Sequence, residues 1–261
     1  MKNAILLTIN IFWFFTPLFA QKSLIISDTV SSIRVCEYAS LFRDVSQKMS
    51  FEDVQRQKFL DVNKPVFQYP FSEDVFWFRL QIQNESLSNQ NNWYLSWDDG
   101  LKEHVDVYVP QPNGSYQIQR GGLLTPSSVK AYSGPFPLYR IGFLPPQKNT
   151  TIYVRIEDSE AISGTLTLYS HQAYIDEIPD KLALTWLVIG IQLLRVLYNI
   201  VLARYVKNTS FRWYSFHTVI VTLSVLGSFG IIGNALSDYP SIAGVANAAF
   251  YQLMPATYTL I

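Results

Sequence analysis

The chain has 261 residues, with 20 Lys and Arg against 20 Asp and Glu, and 49% hydrophobic against 15% charged residues. A net charge of zero gives no electrostatic ground for a nucleic-acid partner. A single cysteine, Cys36, excludes an intrachain disulfide and a cysteine-based metal cluster, leaving plain burial or an intermolecular bridge.

Residues 1–20, MKNAILLTINIFWFFTPLFA, join a basic Lys2 to an apolar stretch over Ala4–Phe15, then Pro17 and the small Ala20. This is the layout of a secretory signal peptide cleaved before Gln21; the alternative is an uncleaved anchor. Either way the chain that follows is exported.

Residues 21–178 read as an all-β exported domain. A strand is predicted at Ile33–Tyr38 and a short amphipathic helix at Leu41–Phe51. From there the period is two. Phe76, Phe78, Leu80 and Ile82 alternate with Trp77, Arg79, Gln81 and Gln83; Val105, Val107 and Val109 with His104, Asp106 and Tyr108; Ile152, Val154 and Ile156 with Tyr153 and Arg155; Leu166 and Leu168 with Thr165, Thr167 and Tyr169. Alternation with one wet face marks antiparallel strands. Turn signals such as Asp99-Gly100, Pro112-Asn113-Gly114, Gly121-Gly122 and Pro145-Pro146 separate them, which predicts a β-sandwich or jelly roll. Trp93, Leu95 and Trp97 share a phase that belongs to its core. Asp176–Lys181, with Pro179, reads as a hinge into the membrane.

The polar phase of these strands supplies the candidate ligand face: Trp77, Arg79, Gln81, His104, Asp106, Tyr108, Tyr153 and Arg155. Aromatic rings interleaved with planar hydrogen-bonding groups suit a sugar, whose apolar faces stack and whose hydroxyls need paired partners. The competing reading makes Trp77 and Arg79 a structural brace. Catalysis finds no footing: His104, His171 and His217 are the only histidines and no Gly-x-Ser-x-Gly elbow occurs. No phosphate loop, dinucleotide fingerprint or metal spacing appears, so neither cofactor nor metal is expected.

Residues 182–261 read as transmembrane helices over about 182–203, 213–233 and 242–261. Leu182–Ala203 holds one charge, Arg195, and at ~1.5 Å per residue is long enough for a ~30 Å hydrocarbon core. Gln192, Arg195 and Asn199 fall on one helical face, which predicts partner helices. A mid-bilayer charge costs about 2.5–3.5 kcal/mol, so Arg195 is either a polar switch in a helix bundle or a snorkelling side chain. His217, in the second span, is read as a proton-sensing residue or a hydrogen-bonded packing residue. Arg204, Lys207 and Arg212 place the first loop in the cytoplasm, whereas Asn234–Pro240 holds no basic residue and belongs outside. Gly227, Gly230 and Gly233, then Ala243, Gly244 and Ala246, offer small surfaces for helix packing. The third span stops in apolar sequence at Ile261, so further architecture is expected beyond it.

The segment GIQLLRVLYNIVLAR from Gly190, followed by KNTSFRWY from Lys207, resembles the opening of the membrane domain of bacterial seven-transmembrane receptors with diverse intracellular signalling modules. Phe76-Trp77-Phe78-Arg79 with Asn84, then Tyr139-Arg140 and Ile152-Tyr153-Val154-Arg155, is similar to strands of that family's second type of extracellular domain, a jelly roll resembling carbohydrate-binding modules. The resemblance covers roughly residues 50–261. It departs at Arg195, where the family has an apolar residue, and in the missing helices and output module.

What the resemblance implies is a sensor in the bacterial inner membrane with its N-terminal domain in the periplasm. An extracytoplasmic ligand, a sugar foremost, would shift helix packing for an intracellular module outside this chain, with room for a homodimer. The main alternative is a membrane-tethered carbohydrate-binding or adhesion protein; a transporter subunit is the third.

Overall fold

The computed structural model describes residues 23–86, 92–132, 137–206, 208–239, 241–246 and 249. The predicted signal peptide and most of the predicted third span lie outside the described residues.

Thirteen strands are described. They are β1 (Leu24–Ile26), β2 (Ser32–Arg34), β3 (Ser40–Asp44), β4 (Leu60–Asp61), β5 (Phe67–Tyr69), β6 (Val75–Asn84), β7 (Trp93–Trp97), β8 (His104–Pro110), β9 (Tyr116–Gly121), β10 (Leu138–Gly142), β11 (Asn149–Glu157), β12 (Ile162–Gly164) and β13 (Leu166–Ser170). A seven-stranded sheet runs β4-β3-β6-β11-β8-β9, with β1 parallel to β6; a four-stranded sheet runs β10-β7-β13-β2; β12 and β5 form a separate pair.

The two larger sheets face each other across the core. The apolar phases of β6, β8 and β11 meet Trp93, Leu95, Trp97, Tyr139, Ile141, Leu166 and Leu168 from the opposite sheet. At about 25 cal/mol per Å² of apolar surface removed from water, this interface dominates the domain's stability. Cys36 is buried within it, and burial pushes its thiol pKa up.

The helices are α1 (Phe51–Gln55), α2 (His171–Tyr205), α3 (Thr209–Ser228) and α4 (Ile231–Ala235). Three local expectations change. The predicted helix over 41–51 is instead strand β3, because Ser40–Asp44 completes the β6 ladder from Arg79 to Val75. The buried Asp44 then ends the strand, accepting from the backbone N–H groups of Ser46 at 2.9 Å and Met49 at 3.0 Å. The predicted strand over 33–38 is the short β2 followed by a 3₁₀ turn at Cys36–Tyr38.

The third change is the hinge. Ser170 caps α2, its hydroxyl accepting from Ala173 N–H at 3.2 Å, and the helix runs on for 35 residues through an exposed Pro179. The first turns of α2 pack on the outer face of the four-stranded sheet, where Tyr174 stacks on Tyr94 at 4.4 Å and Lys181 donates to the Tyr169 hydroxyl at 2.6 Å. The segment read as a linker is therefore part of the sandwich's own packing.

Among the described residues, α2 is the one helix long and apolar enough to cross a membrane. It pairs with α3 through a narrow polar seam. Asn199 donates to the Thr218 hydroxyl at 3.3 Å, and Ser215 donates to the Asn199 carbonyl at 3.2 Å. Thr218, Thr222 and Ser224 donate to carbonyls one turn earlier, so this seam leaves no bare hydroxyl in an apolar setting. Of the predicted polar face, Asn199 is buried in the seam, Gln192 is half-buried beside it, and Arg195 is exposed.

Candidate functional site

The ladder brings the predicted ligand residues onto one sheet face in rows. Trp77, Arg155 and Asp106 are register partners across β6, β11 and β8, and the next row is Arg79, Tyr153 and Tyr108. Gln81 and His104 extend the same face, opposite Thr151 and Glu157. Their convergence follows from the period-two alternation.

Exposure does not follow. Trp77 is 2% exposed, Tyr153 6% and Tyr108 8%. The segment after Asp44 folds over them: Ser50 caps α1 by accepting from Asp53 N–H at 3.2 Å, and that cap delivers Phe51 onto the sheet. Phe51 stacks on Tyr108 at 4.3 Å and meets Tyr153 edge-on at 5.2 Å, while Phe59 lies 4.4 Å beneath the Arg79 guanidinium. The face expected to be open is thus a second, smaller core. Residues 42, 51 and 59 belong to no periodic stretch, so nothing in the strands announces this cover.

Charges gather at the margin. Arg155 pairs with Glu157 and stands 3.8 Å from Asp106. Burial raises the Asp106 pKa, offset in part by Arg155, Arg120 and His104. Arg79, Gln81, His104, Asp106 and Arg155 are all half-buried.

An open groove lies elsewhere, between β9 and β10, the edge strands of the two sheets. Its volume is about 1090 Å³. Gln119 reaches across it from β9, accepting from the Arg140 backbone N–H at 2.9 Å and donating to the Arg140 carbonyl. The Arg140 guanidinium donates to Asn92 Oδ1 at 2.8 Å from Nη2. Arg120, Lys148, Gln117 and Thr151 also line the groove, with the half-exposed ring of Phe143. In the sequence Arg140 figures only in the family's strand pattern, and which strands are edges is a matter of pairing order that one sequence does not carry.

A third feature joins the sandwich to the helices. After β9, Gly122 adopts φ +105 and lies tight against the Glu103 backbone, turning the chain towards the C-terminal helices. Leu123 then fills the notch at Gly233, where any Cβ would overlap Leu123 Cδ1, and Leu124 Cδ2 lies 3.1 Å from the Cβ position of Gly244. Ser127 donates to Asp238 in the turn after α4. Nearby, the buried Lys102 ammonium reaches Asp158 at 2.9 Å, the Ala161 carbonyl at 3.0 Å and Asp99 at 3.2 Å, tying two loops together. Two consecutive leucines after a Gly-Gly turn were the available sequence signal for this contact.

Among the described residues, no group of three or more His, Cys, Asp or Glu side chains is arranged to hold a metal ion. The family model for the 7TMR-DISM extracellular 2 domain matches residues 37–170, more than half of the chain. A carbohydrate-binding module, CBM32-3 from a family 31 glycoside hydrolase of Clostridium perfringens, is similar at 8% identity with a TM-score of 0.25, covering 53% of this chain and 94% of that one. The comparison with curated proteins gave no match.

Proposed function

The chain belongs to the 7TMR-DISM extracellular 2 family, and from that premise we propose that it is the ligand-sensing input of a multi-pass membrane receptor. The sandwich takes an extracytoplasmic ligand, and the helices relay its arrival to an intracellular module. One observation supports the relay above all: the sandwich grips the helices twice, through α2 capped at Ser170 and through Leu123 seated on Gly233. A tether needs only the first attachment. With both in place, a displacement between the sheets shifts α2 relative to α3 and α4, and a ligand that favours one arrangement moves the population towards it.

The groove between β9 and β10 is the ligand seat in this reading, because its wall β9 leads directly into the loop that carries Leu123. A carbohydrate suits its amide and hydroxyl lining.

Hydrogen exchange on the whole chain in lipid nanodiscs, with and without a saturating oligosaccharide ligand, tests the relay. Changed protection over residues 230–238 is the expected result. Ligand bound in the sandwich with that turn unchanged would favour the tether instead.

A further inference from the structure

We propose that the β9–β10 groove is a site for an acidic oligosaccharide, one bearing carboxylate or sulfate groups along a polyhydroxylated chain. This rests on the reading of the chain as a ligand-binding receptor input. Three observations carry it.

The first is charge. Arg120, Arg140 and Lys148 line the groove, and no Asp or Glu does so among the described residues. Arg155 on the neighbouring sheet face, by contrast, is paired with Glu157. Arg140 is held by the neutral amide of Asn92, which orients the guanidinium fork without cancelling its charge. A neutral sugar would leave these cations without use, whereas an anionic one gains charge-assisted hydrogen bonds from them.

The second is what the groove withholds. A peptide would bind there by adding a strand, which needs free backbone groups on an edge. Those of Arg140 are taken by the Gln119 side chain, and the Arg120 carbonyl accepts from Ala131 N–H at 2.8 Å. At these two positions recognition is left to side chains, which suits a saccharide better than an added strand.

The third is shape. About 1090 Å³ open along the edges of two sheets admits several sugar rings in a row, and Phe143, 49% exposed, offers a ring face for stacking.

The test is binding of the nanodisc-embedded chain to a galacturonic acid hexamer and to its fully methyl-esterified twin, which keeps the shape and removes the charge. The acid should bind about tenfold or more tighter than the ester, and more weakly as salt rises. Arg140→Gln and Lys148→Gln should each weaken the acid about tenfold and leave the ester unchanged. Equal binding of acid and ester overturns acid selectivity while leaving the receptor reading in place. Acid binding that ignores both substitutions overturns the location. Equal affinity for an aspartate hexamer overturns the saccharide class. Binding of none of these overturns the inference outright, whereas a bound acid that leaves residues 230–238 unchanged counts against the relay alone.

Discussion

Asp106 is half-buried and Lys102 buried, and removing the charge of each has an opposite expected effect. The Asp106 anion is disfavoured by burial more than its cationic neighbours favour it, so its folded pKa is raised. Between the ordinary value of about 3.9 and the folded value, the native state binds more protons than the unfolded one. Stability therefore falls as pH rises through that window, and Asp106→Asn should flatten the slope in melts taken from pH 4 upward. Lys102 is the contrary case: burial pulls its pKa down, but Asp158 and Asp99 outweigh that, and the ammonium stays charged above its usual range. Lys102→Met leaves Asp158 buried without its counter-ion and should cost about 3–5 kcal/mol, seen as a lowered melting temperature. The paired state of Lys102 was beyond the sequence, since Asp158 lies far along the chain and meets it only through the fold.

α1 and the α2–α3 pair show what a short element and a long one contribute. Phe51→Ala should cost about 2 kcal/mol, because Phe51 is only half-buried, and should open Trp77 to acrylamide quenching. Quenching unchanged from wild type would mean the aromatic cluster is closed by other residues. Between α2 and α3, Asn199→Leu should weaken helix pairing by about 0.6 kcal/mol, whereas Arg195→Leu should leave that pairing intact. Crosslinking between α2 and α3 reports both. Strand phase was legible at this scale, because β6, β8 and β11 alternate residue by residue and each contributes one face to the core. The cover over Trp77 was not, since Phe42, Phe51 and Phe59 arrive from a strand, a one-turn helix and a loop with no common period. Leu41–Phe51 resembled a helix in composition, yet the free edge of β6 drew its first half into the sheet.

Across the whole molecule, the sandwich and helices meet at a contact that a double-mutant cycle can weigh. Gly233→Leu should unseat Leu123, and Leu123→Ala should recover part of the loss, with a coupling of about 1–2 kcal/mol between the two sites. Additive effects would show that they do not touch. The family, the two-sheet architecture and a helix long and apolar enough to cross a membrane were all legible from residues such as Phe76-Trp77-Phe78-Arg79 and the apolar run after Leu182. The groove and the Leu123 seat were not, because each is made by chain segments distant in sequence.

The unbroken α2 also fixes an angular register. At about 1.5 Å per residue, its 35 residues measure about 52 Å, a shaft longer than a ~30 Å hydrocarbon layer and packed on the sandwich by its first turns. Each residue on that shaft turns it by about 100°. One alanine inserted between Ile178 and Thr185 would swing Asn199 away from Thr218 while the sandwich stayed seated on its first turns. Seven inserted residues, close to two full turns, would bring the Asn199 face back to α3 yet pull Leu123 about 10 Å from Gly233. Comparing the two insertions separates torque from thrust in the proposed relay.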